Sequence, residues 1–341
     1  MVGGGPPPPT VLPGDLHKSV IPGTRCHAHA VLKEAATVSI LADNKKLFAR
    51  SRAIQRQQTK VSYLFLLPAL VFFFGFVVFP MIMGIYTSFF NYTMKDFDFI
   101  GLRNYVELFG DATFGRSVVN TMVIAVASVP LVMLFSLWVA TVIYQMPVFS
   151  RSFFRGVFYL PVVMGSVPVV VVWKWVFHRY HGILNWVFKS LGIINSNINW
   201  LGDARYAIWC ILAILFTTSI GQPIVLYVAS LGNVDQSQVE ASEVDGCSKW
   251  QTFRHVKWPS LMPTTLYVAV ITTINSFQCF ALIQLLTSGG PNGSTSTVMY
   301  YLYDTAFRIY RYGYANAMGV ILAIIIAAFS AFQFRIMRTD S

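Results

Sequence analysis

Six long apolar stretches, at about 63–89, 118–144, 156–178, 206–229, 264–286 and 315–335, limit what this chain can fold into. A helical apolar run of about 18 residues or more spans the hydrocarbon core of a bilayer. Peptide groups find no water there, so each N–H and C=O must bond within the chain, and a helix does so segment by segment. The first stretch holds Leu64-Phe65-Leu66-Leu67 and Val71-Phe72-Phe73-Phe74, interrupted by Pro68, Gly75 and Pro80. Membrane helices tolerate such breakers where neighbours re-satisfy the backbone. Composition points the same way: 55% of the residues are apolar and 11% charged, against about a quarter charged in soluble chains. The expected fold is an all-α integral membrane protein, six transmembrane helices in one domain over residues 62–338.

Charge gives the orientation. The net charge of +11 comes from 25 basic and 14 acidic residues. Lys45, Lys46, Arg50, Arg52, Arg56 and Lys60 gather just before the first stretch. The positive-inside rule places them in the cytoplasm, where they suit the anionic headgroups of membrane lipids rather than nucleic acid. Six crossings return the C-terminus to the same side, with Arg335 and Arg338. The loops of Arg151 and Arg155, and of Lys249, Arg254 and Lys257, also fall inside, although the outer loops keep some basic residues, such as Arg103, Arg116 and Arg179. Residues 1–61 read as a cytoplasmic tail, disordered over 1–43 and without a signal-peptide pattern. Residues 44–61 suit an amphipathic helix on the inner surface.

Between the fourth and fifth stretches lies a polar island, 231–263, punctuated as two short helices with a hinge. Ser237-x-x-Glu240 and Ser248-x-x-Gln251 fit capping boxes, and Gly246 fits a helix C-terminal glycine. Pro259 and Pro263 are expected to close the unit before the next apolar stretch, because proline has no donor for a continuing helix. A loop that only joins two spans needs none of this order. A loop that carries force to a soluble partner does.

Glu240-Ala241-Ser242, Asp245-Gly246, Trp250, Phe253, Pro259, Leu261 and Pro263 resemble the EAA loop of ATP-binding-cassette importer permeases. Arg155 with Leu160-Pro161, Trp173-Lys174-Trp175, Gly182-x-x-Asn185, Trp200-Leu201 and Leu286-Thr287-x-Gly289-Gly290-Pro291 follow in the order of the carbohydrate-uptake branch, which includes maltose and glycerol-phosphate permeases. The resemblance covers about residues 62–338; Ser242 and Cys247 stand where alanines are usual, and Thr217-Thr218-Ser219 where a tryptophan is expected. It implies a multi-pass permease subunit in a bacterial cytoplasmic membrane, both termini inside, moving a sugar or oligosaccharide by alternating access. Its implied partners are a second homologous permease, two cytoplasmic ATPase subunits and an external solute-binding protein. Glu240, Ala241, Ser242, Asp245, Gly246, Trp250, Phe253 and Pro259 would couple to the ATPase, with Glu240 as the docking carboxylate and Gly246 as the hinge.

The chain has no phosphate-binding loop of the G-x-x-x-x-G-K-[ST] type, so ATP hydrolysis falls to another subunit. Nothing in it calls for a cofactor, a metal or an enzymatic role: Cys26, Cys210, Cys247 and Cys279 have neither metal nor redox spacing. Polar residues inside the apolar stretches are candidates for a substrate path: Asn275, Gln278 and Ser276 in the fifth, Thr217 and Gln222 in the fourth. Hydroxyls and amides donate and accept hydrogen bonds, as a neutral polyol requires; bonding between helices is the competing reading. Alternatives are import of another polar solute such as a glycerol phosphate, or a stand-alone secondary transporter, which would need coupling carboxylates in the membrane.

Overall fold

The computed structural model describes residues 62–337, so the tail over 1–61, its basic run and its amphipathic segment lie outside the described residues. Helix α1, Ser62–Thr87, contains a π-helical turn at Phe74–Val78. Among the described residues, those up to Val78 belong to one unit and Phe79 onward to another. In the second unit the helical segment Phe79–Thr87 leads into a small antiparallel hairpin, β1 (Phe90–Tyr92) on β2 (Phe97–Phe99), followed by helix α2 (Arg103–Gly110). Asn104 pins α2 to the chain before it, donating to the Ser88 and Phe90 carbonyls at 2.8 and 2.9 Å.

The core is built around α3, Ala112–Tyr144, which packs against most of the other long helices. Along one face α3 buries the small hydroxyls Ser117, Thr121, Ser128 and Ser136, at helical spacing. Each serves a neighbour. Ser117 bonds Ser296 (3.1 Å), Thr121 accepts from the Val298 amide (3.0 Å), Ser128 bonds Ser276 (2.7 Å), and Ser136 donates to the Ile220 carbonyl (3.4 Å). Small residues let helices approach closely, and their hydroxyls then bridge the contact.

Three expected spans keep the form of a single helix: α1, α3 and α14 (Tyr312–Met337). Two others are each built from two helices that meet at a bend. The 156–178 stretch is α4 (Val148–Met164) and α5 (Ser166–Val176), at 100° to each other. Gly165 between them takes a left-handed φ of 73°, which strains any residue with a Cβ. The 206–229 stretch is α7 (Ala207–Ser219) and α8 (Gly221–Gly232), bent by 40°. At the bend Gly221 lies against the backbone of α4, where an added Cβ would come within 2.5 Å of the Phe158 carbonyl oxygen. By length and composition three described helices could cross a membrane, or five with each bent pair as one span. The 264–286 stretch divides into α11 (Trp258–Phe277) and α12 (Ala281–Leu286).

The end of the bundle opposite Tyr144 is held by polar contacts. Asn185, in α6 (Ile183–Ser190), donates to the Arg179 and Ile198 carbonyls and accepts from the Trp200 indole at 3.0 Å. Two motif residues quoted above thus prove to be one structural clasp. Asp111 caps α3 through the Thr113 amide (2.8 Å) and accepts from the hydroxyls of Tyr301 (2.6 Å) in α13 (Val298–Phe307) and of Tyr314 (3.0 Å). Burial opposes ionisation of Asp111, but the bonds from Tyr301, Thr113 and Tyr314 outweigh it and hold the carboxyl below the usual range. A carboxyl depressed in the folded state stabilises above its unfolded pKa and loses that contribution as pH falls through the folded value. Asp111→Asn should therefore melt at a lower temperature than the parent at pH 7, and the gap should narrow below about pH 4. Thermal unfolding of the purified protein at both pH values measures this.

Candidate functional site

The polar island folds as a helical hairpin beside the C-terminal end of α3. Its first helix, α9, runs Gln236–Val244. The N-cap is Asp235, whose side chain accepts from the Ser237 amide at 2.9 Å, rather than Ser237 as the sequence suggested. A carboxylate is among the strongest N-caps and lies two residues earlier in the chain. The helix ends in a Schellman motif: the Cys247 amide bonds the Ser242 carbonyl (3.0 Å) and the Gly246 amide that of Glu243 (3.1 Å). Gly246 sits at φ 78° with open space where a Cβ would point, so its constraint is conformational, not steric.

The second helix, α10 (Lys249–Thr252), starts on the expected capping box, with the Ser248 amide donating to Gln251 Oε1 (2.7 Å) and the Gln251 amide to Ser248 Oγ (3.4 Å). It does not stop at the prolines. A π-helical turn, Phe253–Lys257, carries the chain directly into α11. Pro259 falls in the first turn of α11, directly after the π-helical turn, and Pro263 follows within the helix. The hairpin is thereby continuous with a long helix of the bundle.

Between the two arms the Ser242 hydroxyl donates to the Val239 carbonyl (2.7 Å) and so accepts from the Thr252 hydroxyl 3.0 Å away. Ser242 and Thr252 are 8% and 5% exposed. The eight coupling residues named from sequence therefore divide. Glu240, Ala241, Asp245, Gly246, Trp250 and Pro259 face outward, Ser242 is inside the hairpin, and Phe253 is half-buried. Phe253 packs between Trp250 (ring centroids 5.8 Å apart, stacked) and Trp258 (6.5 Å). Val244 was not singled out, yet at 87% exposure it is the most exposed large apolar residue described. It lies four residues after Glu240, on the same helical face, and that spacing was the available signal.

The substrate-path candidates are also sorted. Gln222 and Asn275 line one small cleft with Ser219 and Tyr267. Gln278 is exposed at the C-cap of α11. Ser276 is buried against Ser128, and the half-buried Thr217 returns its hydroxyl to the Ile214 carbonyl of its own helix (2.9 Å). Among the described residues no cluster of three His, Cys, Asp or Glu side chains is placed to hold a metal ion.

Residues 111–339 match the family model described as binding-protein-dependent transport system inner membrane component. The chain belongs to this family. It is 32% identical to the probable ABC transporter permease protein YurN of Bacillus subtilis, over 83% of this chain and 98% of that one. It is also 32% identical to the multiple sugar-binding transport system permease protein MsmF of Streptococcus mutans, over 80% and 94%. Its fold is similar to a chain of a bacterial ABC transporter involved in import of the acidic polysaccharide alginate, with a TM-score of 0.70 at 22% identity over 83% and 96%. The family assignment makes the chain a membrane-spanning transport component.

Gly246→Val should strain the αL position by about 1–2 kcal/mol, whereas Gly246→Asn, which tolerates that region, should be close to neutral. Limited proteolysis of the 233–250 segment checks this: faster cleavage of the Val variant and parental cleavage of the Asn variant are expected.

Proposed function

We propose that the chain is the permease subunit of an ATP-driven sugar importer, and that the hairpin of α9 and α10 is its coupling element. It would work with a second homologous permease, two cytoplasmic ATPase subunits and an external binding protein. Both termini would be cytoplasmic, with α11 as the further crossing beyond the single helices and bent pairs. The observation that carries the reading is the outward face of the hairpin: Glu240, Ala241 and Val244 on α9 and the 67% exposed Trp250 on α10. A carboxylate between exposed apolar side chains, on a scaffold closed by caps and a buried hydroxyl pair, suits a protein partner. Because the hairpin runs unbroken into α11, a push on α9 would reach the helix that carries Asn275. Sugar as cargo is supported by similarity to MsmF and by amide groups at Gln222 and Asn275, which suit a neutral polyol.

Glu240→Ala and Val244→Asp should each lower binding-protein-stimulated ATP hydrolysis by roughly tenfold, the scale of losing a central contact, while leaving the permease inserted. Assembly with the ATPase at parental rates of hydrolysis would remove the coupling assignment. Asn275→Leu should reduce uptake per folded complex, or change which sugar is preferred, with less effect on stimulated hydrolysis. Unchanged normalised uptake with a lower melting temperature would make Asn275 a packing residue.

A further inference from the structure

The hairpin end carries a second feature, a groove whose wall includes Trp250 and Phe253 of the proposed coupling set. A groove of about 540 Å³ runs between α3 and the α10–α11 connection, and a second cavity of about 370 Å³ adjoins it under the hairpin. The two share Thr141, Gln145, Lys249 and Phe253 on their walls. We propose that this two-part groove binds an anionic glycerophospholipid of the inner leaflet, acyl chain in the first compartment and phosphate at the second.

Polarity along α3 is the first observation. Leu134, Leu137, Trp138, Thr141 and Gln145 line the groove in that order on one helical face. The stripe is apolar for its first residues and polar at its end, over roughly 16 Å at 1.5 Å per residue. That gradient matches the passage from acyl chains to headgroups. On the opposite wall Trp250, Phe253 and Trp258 extend the apolar part, and tryptophan favours this boundary of a membrane.

Charge complementarity is the second. Lys249 belongs to both compartments, Arg254 to the apolar one and Lys257 to the polar one. None of the three is in an ion pair among the described residues, although Glu243 lines the polar compartment with Lys249 and Lys257. Long basic side chains lay their methylenes along an apolar wall and place the charge at its rim. Basic residues at the rim of an apolar groove favour a phospholipid of net negative charge over a zwitterionic one. A protein helix would satisfy the apolar wall and leave the cations unmatched unless it were acidic.

This proposal rests on the reading that the hairpin end faces the cytoplasm. The test is tryptophan fluorescence of the full-length protein in phosphatidylcholine vesicles containing phosphatidylglycerol brominated on its acyl chains. Brominated phosphatidylglycerol should quench saturably and more strongly than brominated phosphatidylcholine, and Trp138→Phe should remove part of the difference. Lys249→Gln with Arg254→Gln should weaken the apparent affinity by about fivefold for each cation removed, at an unchanged melting temperature. Lys249→Arg with Arg254→Lys should retain it. Equal quenching by the two lipids, or a Gln double variant equal to the parent, overturns the site. Lipid-specific quenching lost on assembly with the ATPase and partner permease also overturns it, giving the groove to a protein. Orientation is read separately by labelling the exposed Cys247 with a membrane-impermeant maleimide in a Cys26→Ser background. Labelling from outside would sink the cytoplasmic reading of the hairpin while leaving the lipid measurement intact.

Discussion

A peptide group in hydrocarbon has no water to turn to, and the chain's departures from straight helix are stabilised where neighbours replace the missing partner. Where α11 ends, the Cys279 carbonyl is met by the Thr297 hydroxyl at 3.0 Å. Where α13 begins, the Val298 amide is met by Thr121 of α3. In the turn between them Asn120 donates to the Gly293 and Ser296 carbonyls at 3.0 and 2.9 Å. At the other end of α3, Arg151 donates to the Tyr144 and Met146 carbonyls at 2.5 and 3.2 Å, capping the helix with a cation, as its dipole favours. The small polar residues of α3 are thus the means by which an apolar bundle accommodates broken helices.

The same economy shapes the hairpin. Two hydroxyls, Ser242 and Thr252, fix its arms to one another, which leaves the outward side chains of α9 free to meet a partner. The Schellman turn and the capping box close the backbone at both sides of the hinge. A π-helical turn then passes the hairpin into α11 without a loop in between. Such turns recur at functional positions, and here one stands between a proposed docking face and the helix with the cleft-lining Asn275. Rigidity in the hairpin and continuity into the membrane are the two properties that a mechanical coupling needs.

The membrane class and the hairpin were legible in the sequence because both rest on local signals: apolar run length, a capping box and a glycine at a helix end. Ser248, Gln251 and Gly246 behave as those signals imply. The bends were not legible. Gly165 and Gly221 look alike in an apolar stretch, and one takes a left-handed φ while the other lies against the α4 backbone. Nor did Pro259 and Pro263 end the helix: Pro259 falls in the first turn of α11, directly after the π turn, and Pro263 lies within the helix. Polar residues divided for a similar reason. Ser276 and Asn275 are adjacent, and only the packing of α3 on α11 decides that Ser276 bonds Ser128 while Asn275 faces the cleft. Val244 escaped notice because an exposed valine carries no motif; its meaning comes from the exposed face it shares with Glu240.

In the proposed complex the outward face of α9 touches the ATPase. Cysteine placed at Val244 in a chain with Cys26 and Cys247 replaced by serine, then treated with a short bifunctional thiol reagent in the assembled transporter, addresses it directly. A crosslink is expected from position 244 to a cysteine-bearing ATPase subunit, dependent on assembly, and none from a cysteine at Asn292. A crosslink from Asn292 to the ATPase, or from Val244 to the external binding protein, would contradict it.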